Sequence, residues 1–397
     1  MSYKKTSTVV ALSQLADIQT GPFGSQLHKE DYVENGTPIV TVEHLGRRIF
    51  TEQNLPKVSA VDKNRLSKYV LQEGDIVFSR VGSVDRCSYV DREHEGWMFS
   101  GRCLRVRPNN KVNPLFLYYC FCLESTKQFV RNIAVGATMP SINTKLVGEV
   151  PISVPSLDTQ KKIASVLSVI DDKIEMNDRL NENLLQQAQG IFTQEFLMFD
   201  EVPDSWQEGS LLDIADYLNG LAMQKFRPKE GEQGLPVLKI KELRQGSCDA
   251  NSELCSPSIK PEYIVHDGDV IFSWSGSLLV DLWCGGTCGL NQHLFKVTSS
   301  KYDKWFYYAW TNHHLDKFAA IAAGMATTMG HIKREELAKA EVLIPAKADY
   351  DRIGGLLAPL YDLVIANRIE NRKLAALRDE LLPQLMSGQI DVSEVSL

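Results

Sequence analysis

The 397 residues predict an α+β chain. Two homologous strand-rich domains are separated by two long helices that form an antiparallel coiled coil, giving a pseudo-two-fold architecture. Three observations predict it. The stretch IASVLSVIDDKIEMNDRLNENL, from Ile163, returns 190 residues later as IGGLLAPLYDLVIANRIENRKL, from Ile353, with its apolar and Asn positions in register. The run YVLQEGDIVFS, Tyr69 to Ser79, returns as YIVHDGDVIFS, Tyr263 to Ser273. Both long stretches carry an apolar seam repeating every 3.5 residues, as in helices that supercoil around a partner.

The elements follow in chain order. Residues 1–155 form the first domain: TPIVTVEHL, GDIVFSRV and CLRVRP are β-branched and aromatic runs bounded by Gly, Pro and Asp, as strands are. The segment PLFLYYCFCLESTKQFVRNI is more helical, with Asn113-Pro114 at its start. Residues 156–200 are the first long helix, which Asp158 or Thr159 is placed to cap after Pro155. Residues 201–347 repeat the domain, with strands in LPVLKI, GDVIFSW and HLFKV and a helical KWFYYAWTNHHLDKFAAIAAG. Further correspondences link Leu15-Ala16-Asp17-Ile18 to Leu211-Leu212-Asp213-Ile214, and Gly136-Ala-Thr-Met139 to Gly324-Met-Ala-Thr-Thr-Met329. Residues 348–397 are the second long helix and the tail, with Gly388 as the stop signal. Pro359 should kink or break this helix, or end a preceding turn, because it removes one backbone bond and crowds the turn before it.

One seam steps from Ile163 through Leu167, Ile170, Ile174, Asn177, Asn181, Leu184 and Ala188 to Ile191. The other steps from Ile353 through Leu357, Leu360, Val364, Asn367, Asn371, Leu374 and Arg378 to Leu381. A polar seam residue costs stability unless it meets a polar partner, so it fixes register. Asn177, Asn181, Asn367 and Asn371 occupy the same places in both copies, which makes each helix the natural partner of the other. At 1.5 Å per residue, about 35 residues make a rod of about 50 Å.

The net charge of −7 argues on its face against nucleic acid, but it is unevenly spread. Residues 1–155 hold 19 Lys and Arg against 15 Asp and Glu, a net of +4, while the three following segments are each acidic. A locally basic face suffices for a DNA site. The eight cysteines show no C-x-x-C and no dense framework, as expected of reduced thiols. Cys284, Cys288 and His293 lack a fourth ligand at a recognisable spacing, so no metal is expected. No apolar run approaches the roughly 20 residues of a membrane span, and no signal peptide is read at the N-terminus, so a cytoplasmic location is expected.

Two similar domains joined through a rigid rod make a bivalent ruler, and half-sites on one face of B-DNA lie about 34 Å apart. With the two helices led in by VPISVPSLDTQKKIASVLSVIDDKI and LIPAKADYDRIGGLLAPLYDLVI, the paired GDIVFSRVGS and GDVIFSWSGS, and the terminal LLPQLMSGQIDV, the whole chain resembles the specificity subunit of a type I restriction–modification system. One departure is Tyr350, where the family usually has the Gln that Gln160 supplies in the first copy; it leaves the start of the second helix open. The resemblance implies that each strand-rich domain is a target-recognition domain reading one half of a bipartite, asymmetric DNA sequence, with the rod setting the unread spacer. It implies two methyltransferase subunits docked on the chain and restriction–translocase subunits joining them. Methylation and ATP-dependent cleavage would belong to those partners, leaving this chain non-catalytic and without a cofactor.

The residues agree. No G-x-x-x-x-G-K-[ST] cradle for nucleotide phosphates is present, and no Gly-rich loop follows a strand as a dinucleotide site requires. Asn113-Pro114-Leu115-Phe116 lacks the second Pro of an adenine-methyltransferase Asn-Pro-Pro-Tyr motif and reads as a helix start. Phosphate contacts are expected from Lys and Arg, and base readout from Arg on guanine or Asn and Gln on adenine. The shared frame followed by exchanged side chains points to Arg80, Arg86 and Arg102, with Arg47 and Arg48, in the first domain. In the second it points to Trp274, Asn291, Gln292 and His293, with Lys241 and Arg244. A protein-binding scaffold with a coiled-coil rod and no DNA remains the alternative; salt-dependent binding to duplex DNA separates the two.

Overall fold

The computed structural model describes residues 7–22, 26–198, 201–324 and 332–395. The chain divides into two compact units, Met1–Asp172 with Ala375–Leu397, and Lys173–Leu374. Each holds one strand-rich domain and a portion of both long helices.

In the first unit the order is β1 (Thr8–Ala11), β2 (Ala16–Thr20), β3 (Tyr32–Val33), β4 (Thr37–Val40), β5 (Lys57–Val58), α1 (Ala60–Arg65), β6 (Ile76–Ser79), β7 (Cys87–Tyr89), β8 (Met98–Phe99) and β9 (Cys103–Pro108). Then come α2 (Pro114–Cys122), α3 (Glu124–Ile133), α4 (Thr144–Gly148), β10 (Pro151–Val154) and the long α5 (Leu157–Phe196). The second unit runs β11 (Gln207–Ser210), α6 (Leu211–Ile214), β12 (Asp216–Asn219), β13 (Leu235–Leu238), α7 (Ile240–Gln245), β14 (Leu254–Cys255), β15 (Ile264–Val265), β16 (Val270–Ser273), β17 (Leu279–Leu282), β18 (Cys288–Leu290) and β19 (Leu294–Thr298). It ends with α8 (Lys304–His313), α9 (Leu315–Gly324), α10 (Arg334–Ala338), β20 (Glu341–Ile344) and the long α11 (Lys347–Ser387), whose residues from Ala375 belong to the first unit, as those of α5 from Lys173 belong to the second.

The topology repeats with the sequence. Sheet order β2-β9-β6-β7 answers to β12-β19-β16-β17, and β1-β10 answers to β11-β20. In a third sheet β4 pairs parallel with β8, as β13 does with β18. Fully buried β6 and β16 are central strands, and Phe78 opposite Leu104 matches Phe272 opposite Phe295. Each is launched by the same turn. Gly74 and Gly268 take φ of 89° and 85°, which a side chain would strain, and the carboxylates of Asp75 and Asp269 accept the amides of Gln72 and His266, each at 2.8 Å. Asp75 is then forked by Arg107 (2.7 and 2.6 Å), while Lys296 holds Asp269 at 2.8 Å.

Asn113 is a helix cap, as expected: its Oδ1 accepts the Phe116 amide at 2.9 Å, with Pro114 in the first turn of α2. The apolar side of α2 sinks into the first core, where Phe78 and Phe121 meet edge to face. In the second unit Phe192 and Phe196 pack on Trp310 and Trp206.

Three expectations about the helices need correction. The cap of α5 is Ser156, two residues before Asp158 and three before Thr159: its Oγ accepts the Thr159 amide at 3.2 Å. Pro359 does not break α11, which is continuous from Lys347 to Ser387. Pro359 is exposed, so water can take the Gly355 carbonyl that has lost its donor. The last step of the α5 seam falls on Phe192, with Ile191 only partly buried.

The starts of α5 and α11 are equivalent despite Tyr350. Gln160 donates to the Pro155 carbonyl at 2.9 Å and accepts the Asn113 amide at 2.8 Å. Tyr350 accepts the amide of Asp303, the residue before α8, at 2.7 Å and returns a bond to its carboxylate at 3.1 Å. Two side chains thus make one tie between a long helix and the first turn of its domain helix.

Candidate nucleic-acid interface

After β6 and β16 the buried hydroxyls of Ser79 and Ser273 shape the turn that follows. Ser79 donates to the Val81 carbonyl at 2.9 Å, and Ser273 to that of Ser277 at 2.9 Å. The side chains of Arg80 and Trp274 are thereby placed at the same point of each domain. A second turn, before β9 and before β19, lies against the first. Arg80 N donates to Arg102 O at 2.8 Å. The second turn is pressed by a glycine whose missing Cβ leaves the room: a Cβ on Gly21 would come 2.2 Å from Ser100 O, and one on Gly220 2.2 Å from Asn291 O. A third segment closes the frame, since Ile142 N donates to Arg80 O and Ile332 N to Trp274 O, both at 3.0 Å.

On this common frame the surfaces differ. In the first domain Arg102 is exposed and makes no side-chain hydrogen bond or ion pair among the described residues. Arg80 is half-buried, with Nη1 donating to Gly101 O at 3.2 Å. Val135 and Met139 stand beside them in the loop before Ile142, both 65 % exposed. In the second domain Trp274 donates to Asn219 at 3.0 Å and packs on Phe295, His293 Nδ1 lies 3.2 Å from Ser275 Oγ, and Gln292 Nε2 lies 3.3 Å from His293 Nε2. Asn291 is buried, and its Oδ1 accepts the His293 amide at 3.3 Å, so it shapes the turn. The corresponding Gly324–Met329 loop lies, apart from Gly324, outside the described residues.

The remaining arginines of the first domain gather elsewhere. Arg86 donates to Leu45 O, where Gly46 at φ 115° leaves it space. Ser88 Oγ donates to Arg47 O at 2.7 Å, and Tyr89 N to Arg48 O at 2.7 Å. Arg47 is exposed, whereas the Arg48 guanidinium is largely covered and bonded to Asp172 on α5. In the second domain Lys241 and Arg244 project from α7. Lys241 is drawn to Asp249 at 3.2 Å, and Arg244 is exposed.

The two long helices run antiparallel within each unit. In the second, Asn177 Nδ2 donates to Asn371 Oδ1 at 2.8 Å and Asn367 Nδ2 to Asn181 Oδ1 at 2.9 Å. Asn177 also donates to Glu370 at 2.7 Å, and Asn371 to Asp178 at 2.8 Å. In the first unit Arg378, an arginine on an apolar seam, donates to buried Asp171 at 2.8 Å, whose other oxygen accepts Tyr119 Oη at 2.7 Å. Burial pulls the Arg378 guanidinium down, but Asp171 outweighs it and holds the group above its ordinary range. Burial and then the Asp171 charge push the Tyr119 hydroxyl far up, so it stays a donor.

Sequence reading missed Asp171–Arg378, although the antiparallel Asn pairs, whose numbers sum to 548, set Arg378 within one residue of Asp171. It also missed Arg368 and Arg372, whose carboxylate partners lie 87 and 105 positions away and leave no local signal.

A family model described as the type I restriction modification DNA specificity domain matches residues 4–186 and again 203–377, nearly the whole chain in two copies. The chain belongs to this family. It is 26 % identical over 312 residues to the type I restriction enzyme MjaIX specificity subunit of Methanocaldococcus jannaschii, covering 73 % of this chain and 72 % of that protein. It is 20 % identical to the HindI specificity subunit of Haemophilus influenzae, covering 82 % and 88 %. The crystal structure of the type I restriction–modification S subunit from M. genitalium shares the fold, with a TM-score of 0.57, 15 % identity and 96 % of each chain covered. No helix among the described residues is long and apolar enough to cross a membrane.

Proposed function

We propose that this chain is the cytoplasmic DNA sequence-recognition subunit of a type I restriction–modification complex. Residues 1–155 read one half of a bipartite, asymmetric site and residues 201–347 the other, and the paired helices set the spacer. The helices and domains seat two methyltransferase subunits, through which restriction–translocase subunits join. Methyl transfer and ATP-driven cleavage belong to those partners, and the chain itself is non-catalytic. The observation that carries the reading is one rigid frame used twice with different side chains at its exposed turns. Arg80 and Arg102 in one copy stand where Trp274 and Gln292-His293 stand in the other, as two domains reading unlike half-sites require.

Long-read methylome sequencing of the host, with and without the gene, tests it. The expected result is loss of methyl-adenine at one split motif with a fixed gap. Unchanged methylation with the partner genes expressed counts against DNA recognition and favours a protein scaffold.

A further inference from the structure

The second domain meets α11 through an apolar core, in which Ile353, Leu357 and Tyr361 are buried, and beyond it through two arginines. Arg372 forks onto Asp267, Nη1 to Oδ1 at 2.8 Å and Nη2 to Oδ2 at 2.7 Å, and also donates to Cys284 O at 2.7 Å. Arg368, one turn earlier, donates to Asp281 Oδ1 at 2.7 Å and to Leu282 O at 3.0 Å. Beside Arg368 lies a cleft of about 330 Å³, lined by Gln189, Tyr308, Asn312 and Tyr361 among others, while Tyr308 meets Tyr361 edge to face at 5.0 Å. Apolar contact seats the domain on the helix, and the directional ion pairs add a defined angle to that seat.

The first domain meets α5 with an ion pair of the opposite polarity, although on α11 too one helix carboxylate, Asp349, accepts from the domain's Trp206 at 3.0 Å. On α5 the carboxylates, Asp171 and Asp172, are on the helix, and the donors, Tyr119 and Arg48, are on the domain. The residues of α5 that stand 190 positions before Arg368 and Arg372 are Asp178 and Glu182. A domain carrying Asp267 and Asp281 would find like charge there.

We propose that Arg368 and Arg372 are positioning residues for recognition of the second half-site, and that the reversed polarity keys each recognition domain to its own helix. This rests on the reading of the chain as a DNA-recognition subunit.

The test uses the full chain with its methyltransferase partners and reads methyl-adenine across the genome. Reversal in the double variant Arg368→Glu, Arg372→Glu is expected to lower methylation of the parental motif at least tenfold. The residue of methylation should spread to motifs whose gap is one base pair longer or shorter. Adding Asp267→Arg and Asp281→Arg should restore both rate and gap. A merely structural role would lower methylation at every gap alike, so loss without spread, no loss, or no recovery on re-pairing each overturns the proposal. A parent that methylates no split motif instead defeats the reading of the chain's function. In that event amide exchange in the purified chain still decides the key, which fails unless exchange of β17 rises on charge reversal and falls on re-pairing.

Discussion

His94 is a buried imidazole held between two acids and two rings. Its Nδ1 is bonded to Asp91 Oδ1, its Nε2 lies 3.3 Å from Glu52 Oε1, and Phe50 and Trp97 meet it edge-on. Burial alone would lower its pKa, but the bond to Asp91 and the charges of Asp91 and Glu52 outweigh burial and raise it above the ordinary 6.5. A group whose folded pKa is raised contributes stability that is full below the unfolded value of 6.5 and is lost as pH climbs through the folded one. The melting temperature of the parent should therefore exceed that of His94→Gln most at about pH 6, and the gap should narrow toward about pH 9. A gap constant over that range would show that the imidazole is not charged in the fold. The neighbouring residues show what a sequence hides at this scale. Arg48 looks like a phosphate contact from its loop and charge, yet its guanidinium is bound to Asp172. Asn291 looks like a base reader but is buried beneath the turn it shapes.

At the scale of elements, the amides between α5 and α11 are the feature the sequence announces most clearly. Replacing Asn177 by Leu removes the donor to Asn371 and to Glu370; Glu370 keeps Lys173 at 3.3 Å, whereas the Asn371 Oδ1 is left without its partner between the helices. The expected cost is about 1–3 kcal/mol, the penalty of stranding a buried polar group. Replacing Asn177 and Asn371 together removes both ends of the contact, so thermal unfolding should place the double variant above the sum of the two single losses by about 1 kcal/mol or more. Additive losses would mean that the amides do not recognise each other across the pair. Both helices and the strands after each Gly-Asp turn were legible because they recur at a fixed offset, and a repeat marks its elements twice. What was not legible depends on which face a position shows. Pro359 is tolerated because it faces water, and Ser156 rather than Asp158 caps α5 because the helix begins two residues earlier. The exchange of Gln160 for Tyr350 preserves one tie by different chemistry, which only their shared targets, Asn113 and Asp303, reveal.

For the whole molecule the charge ledger and the surface must be read together. The net charge is −7, and many of the basic side chains are already spent on carboxylates: Arg48 on Asp172, Arg105 on Asp17, Arg107 on Asp75, Arg131 on Asp85, Arg368 on Asp281 and Arg372 on Asp267. An arginine so engaged gains little by moving to a phosphate, because it would leave a carboxylate behind. Among the described residues, Arg102 is an exposed cation at an exchanged turn, and Arg244 is exposed on α7. Duplex affinity grows with the number of phosphates neutralised, and log K falls with log salt by about 0.9 per contact on B-DNA. With on the order of four contacts, the purified chain should bind its own methylome-defined site weakly, with a salt slope no steeper than about −3.6. Its affinity should rise by at least tenfold, and the slope steepen, when the methyltransferase subunits add their own cationic surface. Fluorescence anisotropy on one labelled duplex, titrated at several salt concentrations with and without those subunits, reads both quantities. A chain that alone binds the site at nanomolar concentration, with a slope steeper than its few free cations allow, would show that the paired arginines leave their carboxylates for DNA. The domain seats would then have to loosen on binding, and the charge-reversed variant at Arg368 and Arg372 would bind DNA more weakly than the parent.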